Sequence, residues 1–155
     1  MARPATLGDA VGAVEAVRRS IESCTADHQN DPATLARWLA NKQPDTFKRW
    51  LADPENFCVV EEVGGKVEGV GLLRRDGKLL LFYVAPEHQR SGLGRRIHAA
   101  LEARATALHV SRLHLESTLA ARDFYAALGY ASDGPARPLF GVLQGYPYAK
   151  PLPPP

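Results

Sequence analysis

The 155-residue chain carries 19 lysines and arginines against 17 aspartates and glutamates, so its formal charge is only +2. Hydrophobic residues at 45% and charged residues at 23% exclude disordered, collagen-like and membrane classes, and this length suits one domain that buries roughly 68–70% of its unfolded surface. No apolar stretch approaches the ~20 residues of a membrane span, and so slight a charge does not mark a nucleic-acid binder. Met1-Ala2-Arg3-Pro4 opens without an apolar leader core, and Cys24 and Cys58 are the only cysteines. Together these point to a reducing cytoplasm with both thiols free and buried.

Residues 3–6 are expected to form a short strand running into a turn, after which Val14, Val17 and Ile21 recur at helical spacing up to Cys24. Asp31-Pro32 starts a helix, a capping side chain followed by a proline at the first helical position, with Leu35, Trp38 and Leu39 as one apolar stripe. A further helical piece covers residues 46–51, beyond Pro44. From Phe57 the period changes. Residues 57–63, 67–74 and 79–84, separated by Gly64-Gly65 and Asp76-Gly77, read as an antiparallel meander. The next helix, residues 93–108, carries Leu93, Ile97, Ala100, Leu101, Ala105 and Leu108 toward the sheet. Residues 112–116 make a fifth strand, parallel to 79–84 because strand-helix-strand crossovers are right-handed. Thr118 is placed to cap a helix running to about Leu128, with Gly129 as its left-handed end. Residues 139–143 and 146–150, separated by Gln144-Gly145, read as two last strands. Pro153-Pro154-Pro155 is then a tail to a domain of residues 1–152.

Gln89-Arg90-Ser91-Gly92-Leu93-Gly94 lies between the third strand of the meander and the helix that follows. Two glycines let backbone approach a ligand closely, and the first N–H groups of a helix have no internal acceptor and point at an anion. The segment therefore reads as a pyrophosphate cradle, with Arg90, Arg95, Arg96 and His98 nearby. Ile97 stands where a dinucleotide fingerprint needs its third glycine, and no Gly-Lys-Ser/Thr follows, so neither that fingerprint nor a P-loop is present.

Taken with Thr118, Ala121, Phe124, Tyr125, Gly129 and Tyr130 downstream, this spacing resembles the GNAT superfamily of acetyl-CoA-dependent N-acetyltransferases over most of the chain. The resemblance implies an α/β fold, a mixed, mostly antiparallel sheet of six or seven strands flanked by about four helices, with one splayed parallel pair. Acetyl-CoA would then lie along Tyr83, Val84, Gln89, Arg90, Ser91, Gly92, Leu93, Gly94, Arg95 and Thr118, with no metal. A backbone N–H near Tyr83 or Val84 would polarise the thioester oxygen. Tyr125 matches the family's general acid. A phenol of pKa about 10 gives a proton to a developing thiolate, although the finished thiol is the stronger acid at about 8.5. Thr118 stands where the family often has asparagine, which puts any amide contact to the coenzyme in doubt. Dimers are common in such families, so a homodimer is among the expectations.

The partner is expected to be a small-molecule amine, with no nucleic acid and no membrane involved. An alkylamine of pKa near 10.4 is about 0.1% neutral at pH 7.4, so a base is needed. Alternation sets His114 and Glu116 on one strand face, and Glu116 is the choice for base, its alternative being a solvated strand-end carboxylate. Asp27 and His28, in the segment that lines the acceptor pocket in the resembling family, are read as amine-facing groups. Glu61 and Glu62 are reserve candidates. Three other readings stay open on sequence alone: an acyl-CoA sensor without catalysis, a nucleic-acid module built on Arg90 to Arg96, and transfer to a protein amine.

Overall fold

The computed structural model describes residues 1–140 and 143–154. Its strands are β1 (Arg3–Pro4), β2 (Asn56–Val63), β3 (Lys66–Arg74), β4 (Leu79–Val84), β5 (Arg112–Ser117), β6 (Ala131–Ser132), β7 (Arg137–Leu139) and β8 (Leu143–Pro151). Its helices are α1 (Ala10–Ser23), α2 (Thr25–His28), α3 (Pro32–Leu39), α4 (Pro44–Ala52), α5 (Leu93–Ala107) and α6 (Arg122–Ala127). Strands β1 to β4 form one antiparallel sheet in sequence order, and β8 is the hub of a second, pairing antiparallel with β5, β6 and β7.

This is the mixed α/β arrangement expected, split into two sheets of four strands. The extra strands are very short, and two residues carry too little periodicity to be read in a sequence. Gln144-Gly145 is not a break. Both residues lie inside β8, opposite Pro138 and Arg137. The expected strand over 139–143 includes Gly141 and Val142, which lie outside the described residues; Leu139 and Leu143 at its ends face each other across β7 and β8.

The β1–β4 sheet is covered on both faces. On one side α1, α3 and α4 bring Val17, Ile21, Trp38 and Phe47 against Val60, Val70, Leu72 and Leu81. On the other, α5 buries Leu93, Ile97, Leu101 and Ala105 against Val59, Leu73 and Leu79. Each large side chain so buried contributes about 1.5–3 kcal/mol. The helix can lie so close because β3 offers Gly69 and Gly71. A Cβ at Gly69 would meet Leu93 and Ile97 side-chain carbons at 2.3 and 2.5 Å, and one at Gly71 would meet Ile97 and Leu101 at 2.7 Å. A register shift between Leu72 and Leu73 inserts an extra residue in β4, which is why Leu79 and Leu81 fall on opposite faces despite their even spacing.

The ends of α5 and α6 are built alike. After α6, Tyr130 N–H donates to Tyr125 O and Gly129 N–H to Ala126 O, with Gly129 at φ 98°. After α5, Val110 N–H donates to Ala105 O and His109 N–H to Thr106 O, but the left-handed position is filled by exposed His109 at φ 60°. A side chain with a Cβ pays for that conformation, so His109→Gly should raise unfolding stability by about 0.5–1 kcal/mol in chemical denaturation. A fall in stability would mean that the imidazole holds the turn.

Candidate active site

Strands β4 and β5 meet at a single parallel bridge, Lys78 with His114, where His114 N–H donates to Gly77 O at 3.0 Å. Beyond it no further bridge joins them among the described residues. Ala85 N–H donates to Glu68 O at 2.8 Å, so odd-numbered residues at this end of β4 turn their polar backbone groups toward β3, Tyr83 opposite Val70 among them. Phe82 and Val84 therefore turn theirs toward the gap. By the same alternation His114 and Glu116 of β5 face it from the other side, while Leu113, Leu115 and Ser117 face β8. Of the two residues expected to polarise a thioester, Val84 offers its N–H to the gap and Tyr83 spends its own in the sheet.

At the open end of the gap the chain turns through Pro86–His88 and the glycine segment into α5. Gly92 is the residue before the helix and sits at φ 85°, a conformation that costs glycine nothing. Arg96 N–H makes the first internal bond of α5, to Gly92 O, leaving the N–H groups of Leu93, Gly94 and Arg95 aimed outward. Two side chains brace the loop: Gln89 Nε2 donates to Val84 O at 3.2 Å, and Ser91 Oγ donates to His88 O. From α1, Arg19 pairs with Glu87 in the turn and with buried Glu68 of β3 at 2.8 Å. Arg90 and Arg95 are exposed and lack a carboxylate partner among the described residues. Arg96, expected beside them, is instead bound in a fork to buried Glu61 at 2.5–3.1 Å. That contact holds Glu61 below the usual carboxylate range.

Tyr125 comes from α6 and is buried among Phe82, Phe124 and Tyr130, with ring centroids 5.4–6.0 Å away. Burial, with the neighbouring Tyr130 and Tyr83 phenols, pushes its pKa well above 10, so it stays protonated at any physiological pH. On the opposite face of the gap lies a cavity of about 270 Å3 whose lining includes Tyr83, Glu116, Thr118, Trp50, Lys42 and Phe140. Trp50 of α4 also packs against the core, so it is shared between core and cavity.

The sequence of residues 24–144 matches the family described as the acetyltransferase (GNAT) domain. The chain belongs to the GNAT acetyltransferase family. Solved structures share the fold: a GCN5-related N-acetyltransferase from Rhodopseudomonas palustris has a TM-score of 0.86 at 22% identity, covering 98% of this chain and 95% of that one. PaiA N-acetyltransferase from Thermoplasma acidophilum, in complex with coenzyme A, has 0.85 at 13% identity, covering 98% of both. An aminoglycoside 6'-N-acetyltransferase complexed with coenzyme A has 0.68 at 13% identity, covering 100% of this chain and 99% of that one. No curated protein matches the sequence.

In this GNAT fold two of the expected acceptor residues have other work. Asp27 of α2 accepts from Leu119 N–H at 2.6 Å and Ala120 N–H at 3.1 Å, fixing the loop after β5. His28 is buried, its Nε2 bonded to Glu22 O at 2.9 Å and its Nδ1 accepting from Asn30 N–H at 3.0 Å, which sets one neutral tautomer. Neither residue lines the cavity. Thr118 does, but it does not cap α6, which starts at Arg122 without a side-chain cap; the loop before it is held by Asp27 across 92 residues of sequence, a signal no local pattern carries. Glu62 is paired with Arg3 at 2.5 Å, and Cys58 is pushed up to about 12 by burial, so neither offers a base or nucleophile. No group of three metal-binding side chains stands together among the described residues, and none of their helices is long and apolar enough to cross a membrane.

Sequence reasoning missed Lys42 entirely. It is 2% exposed, its ammonium lies 4.7 Å from the Phe140 ring centre and 3.3 Å from Trp38 O, and burial, aided by the Arg18 charge, pulls its pKa down from 10.5 to about 8. A lysine depressed in the folded state is stabilising only when neutral: its contribution is complete above pH 10.5 and lost as pH falls through about 8. Lys42→Met should therefore raise stability at pH 7 by about 1–3 kcal/mol, with the gain vanishing toward pH 10.5. Denaturation curves across that pH range check this, and a variant less stable at pH 7 would contradict it.

Proposed function

We propose that the protein transfers the acetyl group of acetyl-CoA to the primary amine of a small molecule, by direct attack within a ternary complex. The observation that carries this reading is the parting of β4 from β5 after one bridge, beside a glycine-bounded helix start. The outward N–H groups of Leu93, Gly94 and Arg95 and the free Arg90 and Arg95 guanidiniums suit a pyrophosphate. The open backbone of Phe82 and Glu116 and the Val84 N–H suit an amide-rich arm ending in a thioester, and the presence of coenzyme A in complexes of two structural neighbours supports coenzyme binding by this fold.

Chemistry follows from what borders the gap. The amine attacks the thioester carbon, a C–N bond forms, and Val84 N–H steadies the negative oxygen; such donors contribute about 2.7–4 kcal/mol each elsewhere. The C–S bond then breaks and the sulfur takes the Tyr125 proton. Glu116, lining the cavity and 3.6 Å from Arg137 Nε, is the group to receive the ammonium proton, directly or through water. A cavity of about 270 Å3 is sized for a small acceptor.

Two variants test these assignments. Tyr125→Phe keeps the ring and its packing, so turnover should fall about 10²–10⁴-fold while coenzyme A affinity is retained. Gly92→Val forces a β-branched residue to φ 85° and should weaken coenzyme A binding at least ~10-fold in calorimetry, with the fold checked by circular dichroism. Wild-type turnover in the first, or wild-type affinity in a folded second, removes the corresponding role.

A further inference from the structure

The acceptor cavity contains a cation that the transfer chemistry does not use. Lys42 lines it next to Trp50 and Phe140, with Glu116 and Thr118 lining the same space where β5 ends. Its ammonium meets only neutral groups, Trp38 O, Asn41 Oδ1 and the Phe140 ring, and no carboxylate pairs with it among the described residues. The nearby charge is Arg18, of the same sign, whose guanidinium donates to Leu39 O and Lys42 O at 3.0 and 2.8 Å. A buried cation without a counter-charge is costly, and the cost is recovered when an anion enters the cavity beside it.

Building on the acetyl-transfer reading of this cavity, we infer that the acceptor is a small amino carboxylate, its acidic group held by Lys42 and its amine presented to Glu116 and the gap. Lys42 and Glu116 on the cavity lining are opposite in sign, as a zwitterion requires. Much of the remaining lining is apolar, with Leu72, Leu81 and Leu139 contributing, which suits a hydrocarbon or aromatic body joining the two groups. An acceptor that is purely cationic leaves Lys42 unpaired and adds a like charge to its surroundings. Lys78, also on the wall, reinforces the preference for an acid.

The test compares matched acceptors that differ only in the carboxylate: phenylalanine with phenethylamine, and leucine with isoamylamine. Thiol release gives kcat/KM for each, and calorimetry in the presence of coenzyme A gives binding without relying on turnover. Wild type should favour the acid of each pair by at least ~10-fold, and Lys42→Met should lower kcat/KM and affinity for the acids about 10–100-fold more than for the amines. Equal use and equal binding of acid and amine by wild type, or equal losses for both in Lys42→Met, would overturn the inference while leaving acetyl transfer intact. Preferential, Lys42-dependent binding of the acids without any thiol release would instead uphold the anion site and sink the proposed transfer.

Discussion

Backbone N–H and C=O groups that are neither paired nor in water are expensive, and a sheet normally removes the problem by pairing every strand with its neighbours. Here β4 has β3 on one side and β5 has β8 on the other, but among the described residues a single bridge, Lys78 with His114, joins the two. Apart from Val84 O, which accepts from Gln89, the remaining inner edges are left without a strand partner. A ligand with its own amides can take that place, and this constraint gives the site its place and its direction. Everything else in the site is arranged along that gap: the glycine segment at its open end, Tyr125 on the α5 side and Glu116 on the side of the cavity.

The first helices hold both banks of the gap. Arg19 of α1 fastens the turn before the glycine segment through Glu87 and ties it to β3 through Glu68, while Asp27 of α2 fastens the loop after β5 through two backbone N–H groups. Buried, fully bonded His28 fixes the short helix that carries Asp27. Asp27 thus supports the loop after β5, and His28 the short helix that carries it. Neither residue lines the cavity, where Lys42 and Glu116 stand with opposite charge.

What could be read from the sequence was whatever is encoded locally. The α5 stripe of Leu93, Ile97, Leu101 and Ala105, the Asp31-Pro32 helix start and the three-strand meander all follow from short-range periodicity and capping chemistry, and each is present. The left-handed Gly129 is legible for the same reason. What was not legible depends on contacts between distant segments. Arg96 looked like a phosphate ligand beside Arg95, but 35 residues away Glu61 is buried and needs a cation. Lys42 carries no local signal, and only the packing of Trp38, Phe140 and Arg18 around it reveals a buried charge. A polar residue's sequence neighbours say little about which partner a fold will bring to it.

The central claim is that the inner edges of β4 and β5 receive the acyl-coenzyme arm, and backbone amide exchange read by NMR tests it most directly. In the free protein the Tyr83 amide, paired with Val70, should exchange slowly while those of Phe82 and Val84 exchange faster. Saturating coenzyme A should slow Phe82 and Val84 markedly and leave Tyr83 little changed. Uniform slowing of all three would indicate only global stabilisation, and unchanged exchange at Phe82 and Val84 in a protein that binds coenzyme A would contradict the account.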